Sequence, residues 1–205
     1  MHVIHNSTAI SPCSLDLVKR TVSAYGLQAN DYWMFVGRNM PYKHLDKAID
    51  AFIELWKTDE LSPRKFLMVV PSDNRYPVCI PHGWEPHIVH LQAVSKQDMD
   101  CLYSGTFGVV FPSEIEGFGL PTIEAMSCGK PVILADTDIS REVAGEAGLY
   151  INPRSVPDIV TAMRKCLDER TYPKIAELCL DRSKRFDLKS MFSAHKCIYQ
   201  LLENR

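Results

Sequence analysis

The sequence predicts an α/β chain built on a doubly wound parallel sheet, and three observations carry that prediction. Short runs that are apolar on both faces alternate with longer amphipathic stretches, the pattern of buried parallel strands covered by helices. The order is strand then helix along most of the chain, which favours parallel pairing through helical crossovers. The 205 residues are 46% hydrophobic and 23% charged, enough apolar material for one substantial core under an ordinary polar surface.

Taken in order, a helical pattern over 14–25 opens the chain, followed by Tyr32-Trp33-Met34-Phe35-Val36-Gly37, whose aromatic and β-branched content reads as a strand over 32–37. The next helix, 45–57, sets Leu45, Ala48, Ile49, Phe52 and Ile53 on one face against Asp46, Lys47, Asp50 and Glu54 on the other. Strands are predicted over 66–70, 88–91, 107–111, 131–135 and 149–151, and helices over 96–104, 120–127, 139–145, 155–169, 172–183 and 187–203. The irregular stretch from Pro71 to His87, with four prolines and the pair Gly83-Trp84, reads as a surface excursion beside the ligand site rather than a boundary between domains. With no repeat and no low-complexity tract, the prediction is a single Rossmann-like domain over 1–205.

The chemistry is expected at the carboxyl ends of the strands, where open α/β sheets bind ligands. After the strand Phe107-Gly108-Val109-Val110-Phe111 comes Glu116-Gly117-Phe118-Gly119-Leu120-Pro121-Thr122-Ile123-Glu124, two carboxylates with seven residues between them, flanking a glycine turn that Pro121 converts into a helix. Backbone N–H groups of Gly117, Phe118, Gly119 and Leu120 at a helix start suit an anion. Glu116 on one side and Glu124 about a turn inside the helix can accept hydrogen bonds from hydroxyls. Sugar, diphosphate and ribose follow one another in that order in a nucleotide sugar. Glutamate in a first helical turn is also a common complement to the helix dipole, and a Gly-x-Gly turn lacks the third position of the dinucleotide fingerprint, so neither is specific alone.

A second cluster follows the strand over 32–37: Arg38-Asn39-Met40-Pro41-Tyr42-Lys43 puts two cations in a loop at another carboxyl end. Arginine forks onto phosphate oxygens and lysine adds a point charge, which suits a diphosphate leaving group. In an isolated loop such residues are ordinarily solvated charges. Their position on the same sheet edge as the acidic turn is what favours a site.

Val36-Gly37-Arg38 with Lys43, Phe111-Pro112-Ser113 leading into Glu116 and Glu124, and Ala125-Met126-Ser127-Cys128-Gly129-Lys130-Pro131-Val132-Ile133 together resemble the carboxyl-terminal, donor-binding domain of the retaining GT-B glycosyltransferases of family 4. The resemblance runs over nearly the whole chain. Val3-Ile4-His5-Asn6 resembles the inter-domain linker of that family, placed at 1–12, and 186–205 its closing helix. It implies one half of a GT-B fold. It implies that Arg38 and Lys43 hold the donor diphosphate and act with Glu116, which contacts donor-sugar hydroxyls, as the catalytic set. It further implies substrate contacts from Gly37 and the backbone of Gly117 to Leu120, ribose hydroxyls on Glu124, and the nucleobase beside Val94. Pro71 where a glycine is usual, Gln92 before the base-binding segment and Ser7 after Asn6 depart from the pattern.

The function implied is a hexosyltransferase that is retaining and metal-independent, with a GDP- or UDP-linked sugar as donor, a hydroxyl acceptor, no cofactor, and a role in polysaccharide or glycolipid assembly. The acceptor-binding amino-terminal half does not occur in these residues. The expectation is a chain that binds donor but is inactive without that half, whether the two belong to one longer enzyme or to separate polypeptides. A GT-B epimerase or hydrolase acting on the nucleotide sugar, and a non-catalytic nucleotide-sugar-binding module, are the alternatives.

Other features point away from competing classes. A net charge of -2 argues against nucleic-acid binding. No apolar run is long enough to span a bilayer and no signal peptide is recognisable; a cytoplasmic protein is expected, working at the inner face of the membrane if the acceptor is lipid-linked. Arg182, Lys184, Arg185 and Lys189 read as solvation of the last helices, or as a contact for an anionic membrane surface. Seven cysteines at 13, 79, 101, 128, 166, 179 and 197 form neither a metal pattern nor a disulfide framework. Asp136-Thr137-Asp138 has the Asp-x-Asp form of metal-dependent transferases, but with Arg38 and Lys43 available for the diphosphate it is set aside, as are His82, His87 and His90. The sequon Asn6-Ser7-Thr8 has no meaning in a cytosolic chain.

Overall fold

The computed structural model describes residues 4–8, 10, 12–58 and 65–203. Six strands form one sheet: β1 (Tyr32–Val36), β2 (Lys65–Val69), β3 (Ile88–Leu91), β4 (Gly108–Phe111), β5 (Val132–Ala135) and β6 (Gly148–Ile151). Their order is β3-β2-β1-β4-β5-β6 and every pairing is parallel, which is the doubly wound arrangement. The helices are α1 (Leu15–Ala24), α2 (Leu45–Lys57), α3 (Lys96–Gly105), α4 (Leu120–Ser127), α5 (Asp138–Ala144), α6 (Val156–Leu167), α7 (Tyr172–Ser183) and α8 (Leu188–Glu203). α2 packs on α6, while α1, α3, α4 and α7 pack in succession on one another.

The chain folds this way because the strands are apolar on both faces. Trp33, Met34 and Phe35 of β1, Phe66 to Met68 of β2, and Val109 and Val110 of β4 are all essentially excluded from solvent. At the centre Trp33 sits edge-on to Phe107, ring centroids 5.2 Å apart. A Cβ added at Gly108 would lie 2.7 Å from the Trp33 ring, so glycine at the first position of β4 is what admits the indole beside it. Ser95, Thr137 and Ser155 cap α3, α5 and α6 by accepting the amides of Asp98, Ser140 and Asp158.

The structure alters several sequence-based expectations. Pro41–Lys43 is a turn of 3-10 helix rather than open loop, because Pro41 pre-sets the helical φ and His44 closes it with a left-handed φ of 47°. Further single 3-10 turns at Gly145–Ala147 and Lys184–Phe186 follow α5 and α7. The excursion from Pro71 lies only partly near the candidate ligand edge. Its first half is tied to the Arg38 loop by Asn39, whose side-chain N–H groups donate to the carbonyls of Tyr76 and Pro77. Its second half has crossed to the opposite end of the sheet, where Trp84 packs on Phe52 and Trp56 and Lys65 donates to the Pro86 carbonyl.

Of the late basic residues, Lys184, Arg185 and Lys189 are exposed, as expected of charges that solvate the last helices, while Arg182 is engaged by the fold. Arg182 stacks over Phe186 and donates to the Val143 and Glu142 carbonyls, closing the end of α5, and Lys184 pairs with Asp181 at 3.1 Å. Among the cysteines, Cys13 and Cys101, distant in sequence, bring their sulfurs to 3.0 Å, a contact that no spacing rule reveals. Burial and Cys101 push the Cys13 thiol up to about 11, far from the thiolate range. Of the expected linker 1–12, residues 1–3, 9 and 11 lie outside the described residues, as do 204–205 of the expected closing helix. No helix among the described residues is long and apolar enough to cross a membrane.

Candidate functional site

β1 and β4 are sheet neighbours, yet β1 runs on through α2 to β2 on one side and β4 through α4 to β5 on the other. Their carboxyl ends therefore diverge, and the opening between them is the crevice this topology offers a ligand. One wall is the segment from Gly37 to Lys43, the other the segment from Pro112 to Gly119. Gly37 adopts φ 148°, a backbone that side-chain-bearing residues avoid, and donates its N–H to the Val69 carbonyl at 3.1 Å.

Across this crevice the Lys43 ammonium is paired with the Glu116 carboxylate, both side chains largely shielded at 16% and 25% exposure. The sequence places these residues far apart, and the fold puts them in contact. Arg38, by contrast, is exposed and in no ion pair among the described residues, so its guanidinium is free to turn onto an incoming anion.

The glycine turn between Glu116 and α4 is open to a ligand. Gly119, at φ 88°, heads α4 without a side-chain cap, and Pro121 occupies the first turn. The amides of Gly117, Phe118, Gly119 and Leu120 have no hydrogen-bond acceptor among the described residues, whereas those of Thr122 and Ile123 already fold back on the Gly119 carbonyl. Phe118 anchors the turn: its ring lies 5.9 Å from His5 and 5.9 Å from Phe186. His5 belongs to the segment expected to be linker and also meets Glu142 at 2.9 Å, so that segment buttresses the turn.

Glu124 sits on the far side of the turn, away from the Lys43 and Glu116 pair. Its neighbours are the Tyr103 hydroxyl, Thr8, whose Oγ1 donates to Oε1 at 3.5 Å, and the charges of Lys96 and Asp100 on α3. Burial raises its pKa above the usual carboxylate range against the opposing pull of Tyr103 and Lys96. A carboxyl raised in this way favours the fold when protonated. That contribution is complete below the unfolded-state value, about 4.3, and is lost as pH rises through the higher folded value. Glu124→Gln is therefore expected to melt at a higher temperature than the parent at pH 7, with the difference closing as pH falls toward about 4. Calorimetric scans at the two pH values check this, and a lower melting temperature at pH 7 would show that the ionised form is compensated.

Val94 is half-buried against the core in the loop between β3 and α3. β3 is two strands from β1, roughly 10 Å along the sheet edge, about the span of a nucleoside. Asp136, first carboxylate of the Asp-x-Asp triplet, is held in a fork by Arg141 at 2.5 and 2.7 Å, and Thr137 serves as a helix cap. A concavity of about 460 Å³ beside β6, lined by Tyr150, Asp158, Thr161 and Lys165, holds none of the residues the sequence singles out.

Sequence reasoning missed His44, Glu114 and Arg154. Glu114 lies two residues before Glu116, His44 follows Lys43, and Arg154 follows the last strand. The rule that ligands gather at strand carboxyl ends was signal enough to include them, but their residue types are common in loops.

Comparison with known proteins agrees with this architecture. The sequence profile of the family described as "Glycosyl transferases group 1" matches residues 30–169. O-antigen chain mannosyltransferase B of Escherichia coli is 28% identical over 93% of this chain and 53% of its own length. O-antigen chain mannosyltransferase RfbU of Salmonella typhimurium is 31% identical over 62% of this chain and 35% of its own. The chain thus spans about half the length of the first of these relatives and less of the second. HepE of Anabaena, solved in complex with UDP, superposes with a TM-score of 0.81 at 22% identity, covering 100% of this chain and 57% of that one. Sucrose-phosphate synthase from Thermosynechococcus elongatus superposes with a TM-score of 0.80 at 19% identity, covering 100% and 53%. A profile match over most of the chain shows that the chain belongs to the group 1 glycosyltransferases, and the superpositions give it the fold of a carboxyl-terminal-type GT-B domain.

Proposed function

We propose that the chain is the donor-binding half of a retaining, metal-independent hexosyltransferase that uses a GDP- or UDP-linked sugar. The observation that carries this reading is the Lys43 and Glu116 pair across the crevice, next to four unengaged amides at the start of α4. A diphosphate seated on those amides and on Arg38 competes for Lys43, because two phosphate charges outbid one carboxylate. Glu116 is then released toward the donor-sugar hydroxyls, while Glu124 takes the ribose and Val94 borders the base. Binding thus moves the Lys43 ion pair from carboxylate to diphosphate and gives Glu116 sugar hydroxyl donors in place of the ammonium.

In transfer, the acceptor hydroxyl attacks the anomeric carbon on the face from which the diphosphate departs. The C–O bond to phosphate breaks ahead of the new bond through an oxocarbenium-like state, the acceptor hydroxyl proton passes to the departing phosphate oxygen on the same face, and Arg38, Lys43 and the amides stabilise the growing phosphate charge. The Asp136 fork with Arg141 favours assigning that neutralisation to these cations rather than to a metal held by the Asp-x-Asp triplet. The acceptor site comes from an amino-terminal half, in the same enzyme or in a partner chain. Relatives named for O-antigen mannosyl transfer favour polysaccharide assembly as the pathway.

Calorimetric titration of this chain with GDP-, UDP- and ADP-sugars and the free diphosphates, without metal and then with Mg²⁺, tests the reading. Metal-independent binding of one base series, weakened by Lys43→Ala, is expected. Absence of binding across the panel overturns it. Glu124→Gln is expected to weaken the free diphosphate about ten- to a hundredfold, the scale of a hydrogen bond to a charged group. An unchanged dissociation constant would remove its ribose role.

A further inference from the structure

The two walls of the crevice leave adjacent strands and then part, and the β1 to β4 ladder ends at Trp33 with Gly108 and Met34 with Val109. Something beyond the ladder must hold the Lys43 wall in register with the Glu116 wall. Glu114 meets that need in three ways. Its backbone N–H donates to the Tyr42 carbonyl at 2.9 Å. His44, held in a left-handed backbone just after Lys43, brings Nε2 to 3.3 Å from Glu114 Oε2, a close approach whose angle falls short of a hydrogen bond. From a third loop, after β6, Arg154 forks the same carboxylate, Nε donating to Oε1 at 2.7 Å and Nη2 to Oε2 at 3.2 Å. Arg154 and His44 together hold the Glu114 carboxyl below its usual range.

An isolated exposed ion pair contributes little, and Arg154 is 71% exposed. The case differs here because one carboxylate gathers a bidentate guanidinium, an imidazole that is only 15% exposed, and a backbone rung from its own residue.

We infer that Glu114 is a positioning residue that clasps the Lys43 loop to the Glu116 loop, with Arg154 as the arm that holds the clasp closed. Its effect on donor affinity rests on the function proposed above, whereas the clasp itself does not.

Amide hydrogen exchange of this chain reads the clasp directly at Lys43, His44 and Glu114, whose N–H groups are hydrogen-bonded to Met40, Pro41 and Tyr42. Glu114→Gln and Arg154→Ala are each expected to speed exchange in both loops about three- to fivefold, the upper scale for a well-forked surface pair. The double variant adds little to either single one, and Arg154→Lys recovers part of the protection. The dissociation constant for whichever of UDP and GDP the parent binds rises by a similar factor. Exchange that quickens only around the substituted residue, or effects that simply add, would overturn the clasp. Coupled loops in a chain that binds neither UDP nor GDP would overturn the donor-site reading and leave the clasp standing.

Discussion

Lys43→Ala is expected to lower sugar transfer by the complete enzyme about 10²–10³-fold, the range for deleting one preorganised donor that meets charge developing in the transition state. Lys43 is shielded, clamped in a 3-10 turn and aimed across the crevice at Glu116, so little reorganisation separates its resting position from a phosphate beside the glycine turn. Its loss also strands Glu116 as a shielded carboxylate without its cation. The variant should therefore lose affinity for the free diphosphate as well as turnover. Arg38→Ala is expected in the same range for transfer. Steady-state assays with donor and acceptor varied separately provide the check. Transfer within a few-fold of the parent in the Arg38 and Lys43 double variant would sink the assignment.

Trp33→Ala carries the largest expected cost in stability, about 3–5 kcal/mol, the range for emptying a buried aromatic site. Trp33 is fully excluded from solvent in the strand beside the crevice, with Phe107 at its edge and Gly108 recessed to admit it. A glycine cannot fill the void, and the flanking strands cannot close on it without breaking the ladder between β1 and β4. Denaturant unfolding followed by circular dichroism measures the loss. A change below about 1 kcal/mol would mean that the sheet relaxes into the space and that the indole is not its central packing element.

The effects differ in kind because the site and the core are legible to different degrees. Every predicted strand and helix is present with ends displaced by no more than two residues, since double-sided apolar runs such as Val109 to Phe111 and the amphipathic face of α2 state their periodicity in local sequence. The single 3-10 turns were not legible: they arise where Pro41, Gly145 and Lys184 lead the chain out of one packed element and into the next. For the site, the sequence supplied residue types and strand ends. It placed Arg38 and Lys43 on one loop and Glu116 and Glu124 around one turn, because those spacings are local.

What the sequence by itself determined was the α/β class, the order of elements and the loops that carry chemistry, because hydrophobic period, glycine and proline act within a few residues of themselves. Only the tertiary structure decided that Lys43 meets Glu116, that Glu124 lies apart among Tyr103, Thr8 and the charges of α3, and that Arg154 reaches Glu114 from the loop after β6, two strands along the same sheet edge. The first contact depends on the reversal of strand order between β1 and β4 and the last on the order in which β4, β5 and β6 lie side by side, properties of how six strands pack together that no stretch of the chain encodes alone.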